Sequence, residues 1–398
     1  MMNYILSDGF SFENLKPLTF TRPVAELRCG ILTIREKWEL YLHTQCSFHT
    51  QAYLSVKYPL VTDEVNVFIN AACLPNTQTV EAIKNIHANT IIVDAADSIV
   101  AVCVSSQDYN VPFEDLLHDR YEKIQVDYVC AKIEFPWDIF THNASEIESD
   151  FSVLTEGKKS QALSDTNTVI CPENVFVEEG AEVECAILQA SSGKIYIGKD
   201  AVVMEGAIVR GPFALCEHAS VKMAAKIYEG TTIGPHSKVG GEVQNSVIIG
   251  YSNKGHDGYL GNAVIGEWCN LGADTNNSNL KNDYSEVRAW NYPTQRFMKT
   301  GLQFCGLIMG DHSKSAINTM FNTGTVVGVS ANIFGAGFPR NFVPSFSWGG
   351  AHGLEVYALK RALNVVERVY NRRHFAVSDE DIAILTYLFQ ETEQYRRF

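Results

Sequence analysis

The sequence predicts an α/β layered domain over residues 1–138, a linker over 139–165, a parallel β-helix over 166–348 and closing helices over 349–398. Three patterns predict this. Aliphatic residues recur at intervals of six in the middle of the chain, at Ile197, Val203, Val209, Leu215, Val221, Ile227, Ile233 and Val239. Apolar strand-like runs alternate with helical stretches before it, and an amphipathic period closes the chain after it.

The six-residue period is the most specific of the three. A helix repeats every 3.6 residues and a pleated strand every two, so neither asks for a strict six. A coil of short parallel strands does, because each hexad forms one flat side and turns its aliphatic inward. Four positions after each aliphatic the residue is usually small: Ala201, Ala207, Ala219, Ala225, Thr231 and Ser237, with Phe213 and Val243 as exceptions. The period resumes at Ile265 and Leu271, then at Met309, Ser315, Phe321, Val327 and Ile333. The coil is therefore placed at about residues 169–346, with loops expected over 245–258 and 276–300.

In the first domain, Tyr4-Ile5-Leu6 reads as a buried strand entering a loop at Ser7-Asp8-Gly9. An amphipathic helix follows over 31–42. Val65-Asn66-Val67-Phe68-Ile69-Asn70, Thr90-Ile91-Ile92-Val93 and residues 99–104 read as further strands, and the alternation suggests a mostly parallel, Rossmann-like sheet. Phe135-Pro136-Trp137-Asp138 and the polar run to Ser152 read as a linker holding one helical turn or more. Val356, Leu359, Leu363, Val366 and Val369 mark a helix over 355–373. Ser378 before Asp379, Glu380 and Asp381 is an N-cap for a last one.

Hydrophobic content of 46% and charged content of 20% describe a globular chain. A formal charge of −14 argues against nucleic acid or anionic membrane as a partner. Without a basic, apolar leader or a run near the roughly 20 apolar residues of a membrane helix, the expected location is cytoplasmic. The ten cysteines are scattered with no Cys-x-x-Cys pair, so they read as reduced, mostly buried small hydrophobes.

Residues 253–266 read Asn-Lys-Gly-His-Asp-Gly-Tyr-Leu-Gly-Asn-Ala-Val-Ile-Gly, followed by Asn270-Leu271-Gly272-Ala273. This resembles the acetyltransferase half of the bifunctional uridyltransferase/glucosamine-1-phosphate acetyltransferase family, which makes UDP-N-acetylglucosamine. The resemblance covers the coil and, more loosely, the first domain. It implies a left-handed parallel β-helix, a homotrimer, and acetyl-CoA as co-substrate. It implies His256 as general base, a role that suits an imidazole because its reference pKa lies close to working pH. Tyr259 and Asn270 match substrate-contacting positions, and Gly272-Ala273 match the stretch beside the pantetheine of CoA. Asn279 matches a further sugar contact, although Leu280 stands where the family has tyrosine; Tyr284 is an alternative source of that ring. For the sugar phosphate the candidates are Lys222, Lys226, Lys254 and Arg210.

The same family opens with a nucleotidyltransferase domain. Here the glycine cradle for nucleotide phosphates is replaced by Leu6-Ser7-Asp8-Gly9-Phe10-Ser11. Lys16-Pro17 and Arg22-Pro23 stand in for the family's Lys-Pro, with Lys16 and Arg22 as substrate-binding candidates. The aspartate expected for Mg2+ is missing after the strand ending in Asn70, which leaves Asp8 and Asp94 as unaligned substitutes. Two functions follow. The first is a transferase of amino-sugar nucleotides, with N-acetylation of glucosamine-1-phosphate on the coil and uridylyl (alternatively thymidylyl) transfer on the first domain. The second is a trimeric scaffold carrying a sugar-nucleotide sensor. His218, His236 and His256 do not read as a metal set shared between subunits.

Overall fold

A computed structural model describes residues 2–105 and 121–398. It divides into an α/β unit (1–15, 21–27 and 32–138) and a β-helix unit (16–20, 28–31 and 139–398).

The α/β unit is built on strands β1 (Asn3–Ser7), β2 (Ser47–His49), β3 (Val65–Asn70), β4 (Thr90–Val93), β5 (Ile99–Ser105) and β6 (Glu122–Gln125), in the order β2-β1-β3-β5-β4-β6. β1 pairs in parallel with β2 and β3, and β4 with β6. β5 runs antiparallel to both β3 and β4. The sheet is thus mostly parallel, as expected, with β5 as the one reversed strand: the short connection from β4 to β5 leaves no room for a crossover helix. Helix α1 is the single turn Ser11–Asn14. The helix expected over 31–42 is α2 (Ile34–Leu42), which starts later because Thr33 and Glu36 close a capping box around its first turn. α3 (Thr77–Lys84) is capped by Asn76.

The residues read as a linker form mostly helix α4 (Pro136–Thr155). Beyond it the coil runs from Thr168 to Gly350 as sheets of six, nine and ten strands. All eight residues of the hexad series are at most 2% exposed, and so are their small partners. Each strand pairs in parallel with the one a turn earlier, as Leu188 with Val209 and Val209 with Ile227. The aliphatics therefore stack into one continuous core.

The loop expected over 245–258 does not interrupt the coil. Val243 stands four residues after Val239, and Val247–Gly250 and Asn253–Lys254 continue two of the sheets. Shortened corners, not an excursion, break the hexad there. The second expected loop is real, but it carries a hairpin of Arg288–Asn291 with Arg296–Lys299. Where the chain departs for it, side chains replace a backbone ladder. Asn276 Oδ1 accepts from Tyr259 N at 2.7 Å, and the Asn277 amide bonds both Gly261 N (2.8 Å) and Gly261 O (2.9 Å).

One corner carries a ladder of rings. His218, His236, Tyr251 and Trp268, all at left-handed φ, stack in succession with centroids 4.8, 5.0 and 4.5 Å apart. His218 and His236 are one turn apart, so they do share a column, as a stack. α5 (Leu359–Arg372) caps the ladder with Tyr370, 3.9 Å from Trp268. It starts later than residue 355 because Gly353–Val356 pairs back antiparallel on Ser347–Gly350. α6 (Asp379–Glu391) begins at Ser378, whose hydroxyl accepts from Asp381 N. Among the described residues no helix is long and apolar enough to cross a membrane.

Candidate active site

His256 sits on the corner between strands Asn253–Lys254 and Tyr259–Gly261. The turns above and below press closely on it. Gly258 holds φ +112°, and a Cβ there would meet Thr275 O at 2.3 Å. One turn earlier, a Cβ on Gly241 (φ +71°) would meet Asp257 Cα at 2.8 Å. Asp274 N donates to Asp257 O from the turn above. The imidazole is exposed and makes no hydrogen bond within the described residues, so both ring nitrogens are open to a ligand.

Lys254 does not serve as a surface cation, which corrects its assignment to the sugar phosphate. It pairs with Val239 in the interior column and is 2% exposed. Its Nζ donates to Gly240 O at 3.0 Å and to His256 O at 2.6 Å. Burial pushes its pKa down to about 8 against the pull of Asp257 and Asp274. Its role is to brace the corner from inside.

The other predicted residues converge on the same corner. Tyr259 Oη donates to Gln244 Oε1 and accepts from Asn279 Nδ2, each at 2.9 Å. Burial raises the Tyr259 phenol, so it stays a neutral donor. Asn270 is exposed on the next turn, beside Asn253, and Gly272 and Ala273 form the corner directly above His256. Lys226 is exposed but pairs across the sheet with Glu242, which itself neighbours Tyr259. Tyr284 is exposed on the insertion.

Lys222 is joined on this face by cations that sequence reasoning missed, Lys238, Arg372 and Arg373. Partial burial lowers the Lys238 pKa, followed by the charges of Lys222, Arg373 and Arg372. Arg373 Nη2 donates to Asn253 Oδ1 at 2.9 Å. Lys238 was legible: it precedes inward Val239, so it must point outward in the row of Asn253. The arginines were not, because only the fold-back of α5 brings them here.

In the α/β unit, Asp8 is buried and its oxygens accept from Val24 N (2.7 Å) and the Thr50 hydroxyl. Asp94 is bonded by Lys132 Nζ at 2.6 Å and by the amides of Ala96, Ser98 and Cys130. No group of three or more metal-ligating side chains occurs among the described residues. In this structure Asp8 pins the turn at 24–26 to β1, and Asp94 is paired with Lys132. Arg22 is buried in this unit. Lys16 belongs to the β-helix unit, where its Nζ lies 5.2 Å from the Phe20 ring.

The chain thus combines an α/β unit with a parallel β-helix that carries a histidine on a glycine-bounded corner. Residues 4–159 match the model described as sugar nucleotidyl transferase, and the chain is similar over part of its length to bifunctional nucleotidylyltransferase/acetyltransferases. It is 31% identical over 195 residues to a bifunctional sugar-1-phosphate nucleotidylyltransferase/acetyltransferase of Sulfurisphaera tokodaii, covering 48% of this chain and 47% of that one. It is 34% identical over 118 residues to the bifunctional protein GlmU of Methanocaldococcus jannaschii, covering 30% and 26%. The chain thus spans about half the length of the first relative and about a quarter of the second. Among solved structures, a UDP-N-acetylglucosamine acyltransferase of Francisella novicida aligns at 15% identity over 57% of this chain and 79% of that one. Its TM-score is 0.27, a level of overlap that carries no inference.

Proposed function

We propose that the β-helix unit transfers an acetyl group from acetyl-CoA to the amine of glucosamine-1-phosphate or a related sugar phosphate. The observation that carries this reading is the open imidazole of His256 on a corner shared with Tyr259, Asn270 and Ala273. The amine nitrogen attacks the thioester carbonyl while His256 takes its proton. The C–S bond then breaks, and the proton passes from the imidazole to the departing thiolate. Lys222 and Lys238, with Arg372 and Arg373 beside them, supply the cations for the phosphate in place of Lys254.

Residues 4–159 support nucleotidyl transfer to the sugar-1-phosphate as a second activity, with UTP as the first nucleotide to test and dTTP as the second. Mg2+ is the metal this reaction would use, held by one or two carboxylates together with the nucleotide's own phosphates. The scaffold reading leaves the open histidine without a role.

We further propose a homotrimer assembled along the His256 corner. Met223 and Ile317 are each 68% exposed and flank this corner from earlier and later turns, which is unusual for large apolar side chains on a solvated edge.

The test is release of free thiol from acetyl-CoA and glucosamine-1-phosphate. Wild type releases thiol, and His256→Ala loses at least about 100-fold of the rate with its melting temperature unchanged. Equal rates in the two would discard the assignment.

A further inference from the structure

The insertion and the last turns of the coil enclose a cavity of about 1100 Å3 within the β-helix unit. Its walls are the departing strand at Ser278–Asn282, the hairpin, residues 322–323 and residues 338–342. Three cations line it, Lys281, Arg288 and Arg340, and no carboxylate does, in a chain of formal charge −14. Lys281 is committed to Ser285 and to the carbonyl of Glu286. Arg288 and Arg340 are exposed and form no ion pair or hydrogen bond within the described residues.

Four aromatic rings share the rest of the lining with Leu280 and small polar side chains. Trp290 stacks on Phe342 at 4.2 Å and 10°, and Phe297 meets Trp290 edge-on at 5.4 Å. Phe338 is 56% exposed and joins no ring pair. The Trp290 Nε1 is buried with no hydrogen-bond partner, so a donor waits at the wall. A second chamber of about 260 Å3 shares Trp290, Arg340 and Phe342 and adds Arg397.

Two unpaired guanidinium groups beside free ring faces recognise one kind of ligand. The guanidinium fork bonds phosphate oxygens in pairs, and the rings accept the face of a planar base. The volume lies at the upper end of the roughly 300–1,000 Å3 typical of small-molecule sites. We propose that this cavity binds a nucleoside phosphate, with its phosphates on Arg288 and Arg340 and its base against Phe338 and Phe297. Two sources share that chemistry: the 3′-phospho-ADP end of the acyl donor and a uridine nucleotide. The class of ligand does not depend on the acetyl-transfer reading; only its assignment to the acyl donor rests on that reading.

Calorimetric titration of the full chain with 3′,5′-ADP, UDP, adenosine, uridine and inorganic phosphate tests it. The expected result is that at least one nucleoside phosphate binds ten times or more tighter than its parent nucleoside and than inorganic phosphate. Arg288→Met with Arg340→Met weakens that binding at least tenfold, and Phe338→Ala, at an exposed position, weakens it independently. A nucleotide held elsewhere on the chain survives these substitutions, so only the lost fraction belongs to the cavity. Loss confined to 3′,5′-ADP assigns the acyl donor, and loss confined to UDP assigns the uridine nucleotide. Nucleotide binding that is unaltered in both cavity variants, or inorganic phosphate binding as tightly as any nucleotide, overturns the proposal.

Discussion

Lys254 Nζ stands 2.6 Å from the backbone carbonyl oxygen of His256 and donates to it from inside the coil. A lysine in a column of aliphatics is costly to bury, and its place there is explained by the two corner carbonyls it satisfies. Lys254→Met fills the same slot without donors. Each carbonyl left unbonded costs about 1–3 kcal/mol, offset in part by removal of the buried charge. Thiol release is expected to fall by about tenfold while the fold persists, read by enzyme assay and thermal melt together.

The same lysine sets a pH dependence. Its folded pKa of about 8 lies below the ordinary 10.5, so the unfolded chain binds more protons between these values. Stability therefore rises with pH through this window, is greatest above 10.5 and loses the gain as pH falls through 8. The gain is on the order of 3 kcal/mol. Urea midpoints at pH 7.5 and 10 should show wild type gaining relative to Lys254→Met, and parallel shifts would refute the assignment.

The ring ladder predicts the opposite limb. The His236 pKa is lowered by burial, then by the charge of His218 and that of Arg373, against the pull of Glu217. Its neutral form is favoured when folded, so stability present above pH 6.5 is lost on acidification. His236→Phe keeps the stack and is expected to flatten the melting temperature between pH 7 and 5.5.

Replacing Met223 and Ile317 together by aspartate puts charges on the corner flanking His256. Sedimentation velocity is expected to show a trimer for wild type and a monomer for the double variant. A wild-type monomer would remove the homotrimer proposal.

In the α/β unit the Asp94–Lys132 ion pair is buried, with side-chain exposures of 0% and 9%. Lys132→Met strands the carboxylate, and about 3–5 kcal/mol of stability should be lost in urea titration. An unchanged midpoint would mean that the amides of Ala96, Ser98 and Cys130 hold Asp94 without help.

Wherever the interior of the coil is aliphatic, the chain's own spacing determined the architecture. From Ile197 to Val239 one inward residue per side is a geometric requirement that residue type displays directly. The pattern faded at Lys254 and Asn277, both interior, because those positions bond backbone carbonyls and amides that the distorted corners leave open. His256, Tyr259, Asn270 and Ala273 were legible for a related reason: successive corners of a regular coil superpose, so a local motif already implies a shared site. Tertiary structure alone decided the inward turn of Lys254, the return of Arg373 onto Asn253 and the meeting of Arg288 with Arg340. Each depends on segments distant in sequence being brought together, and no local period records such a distance.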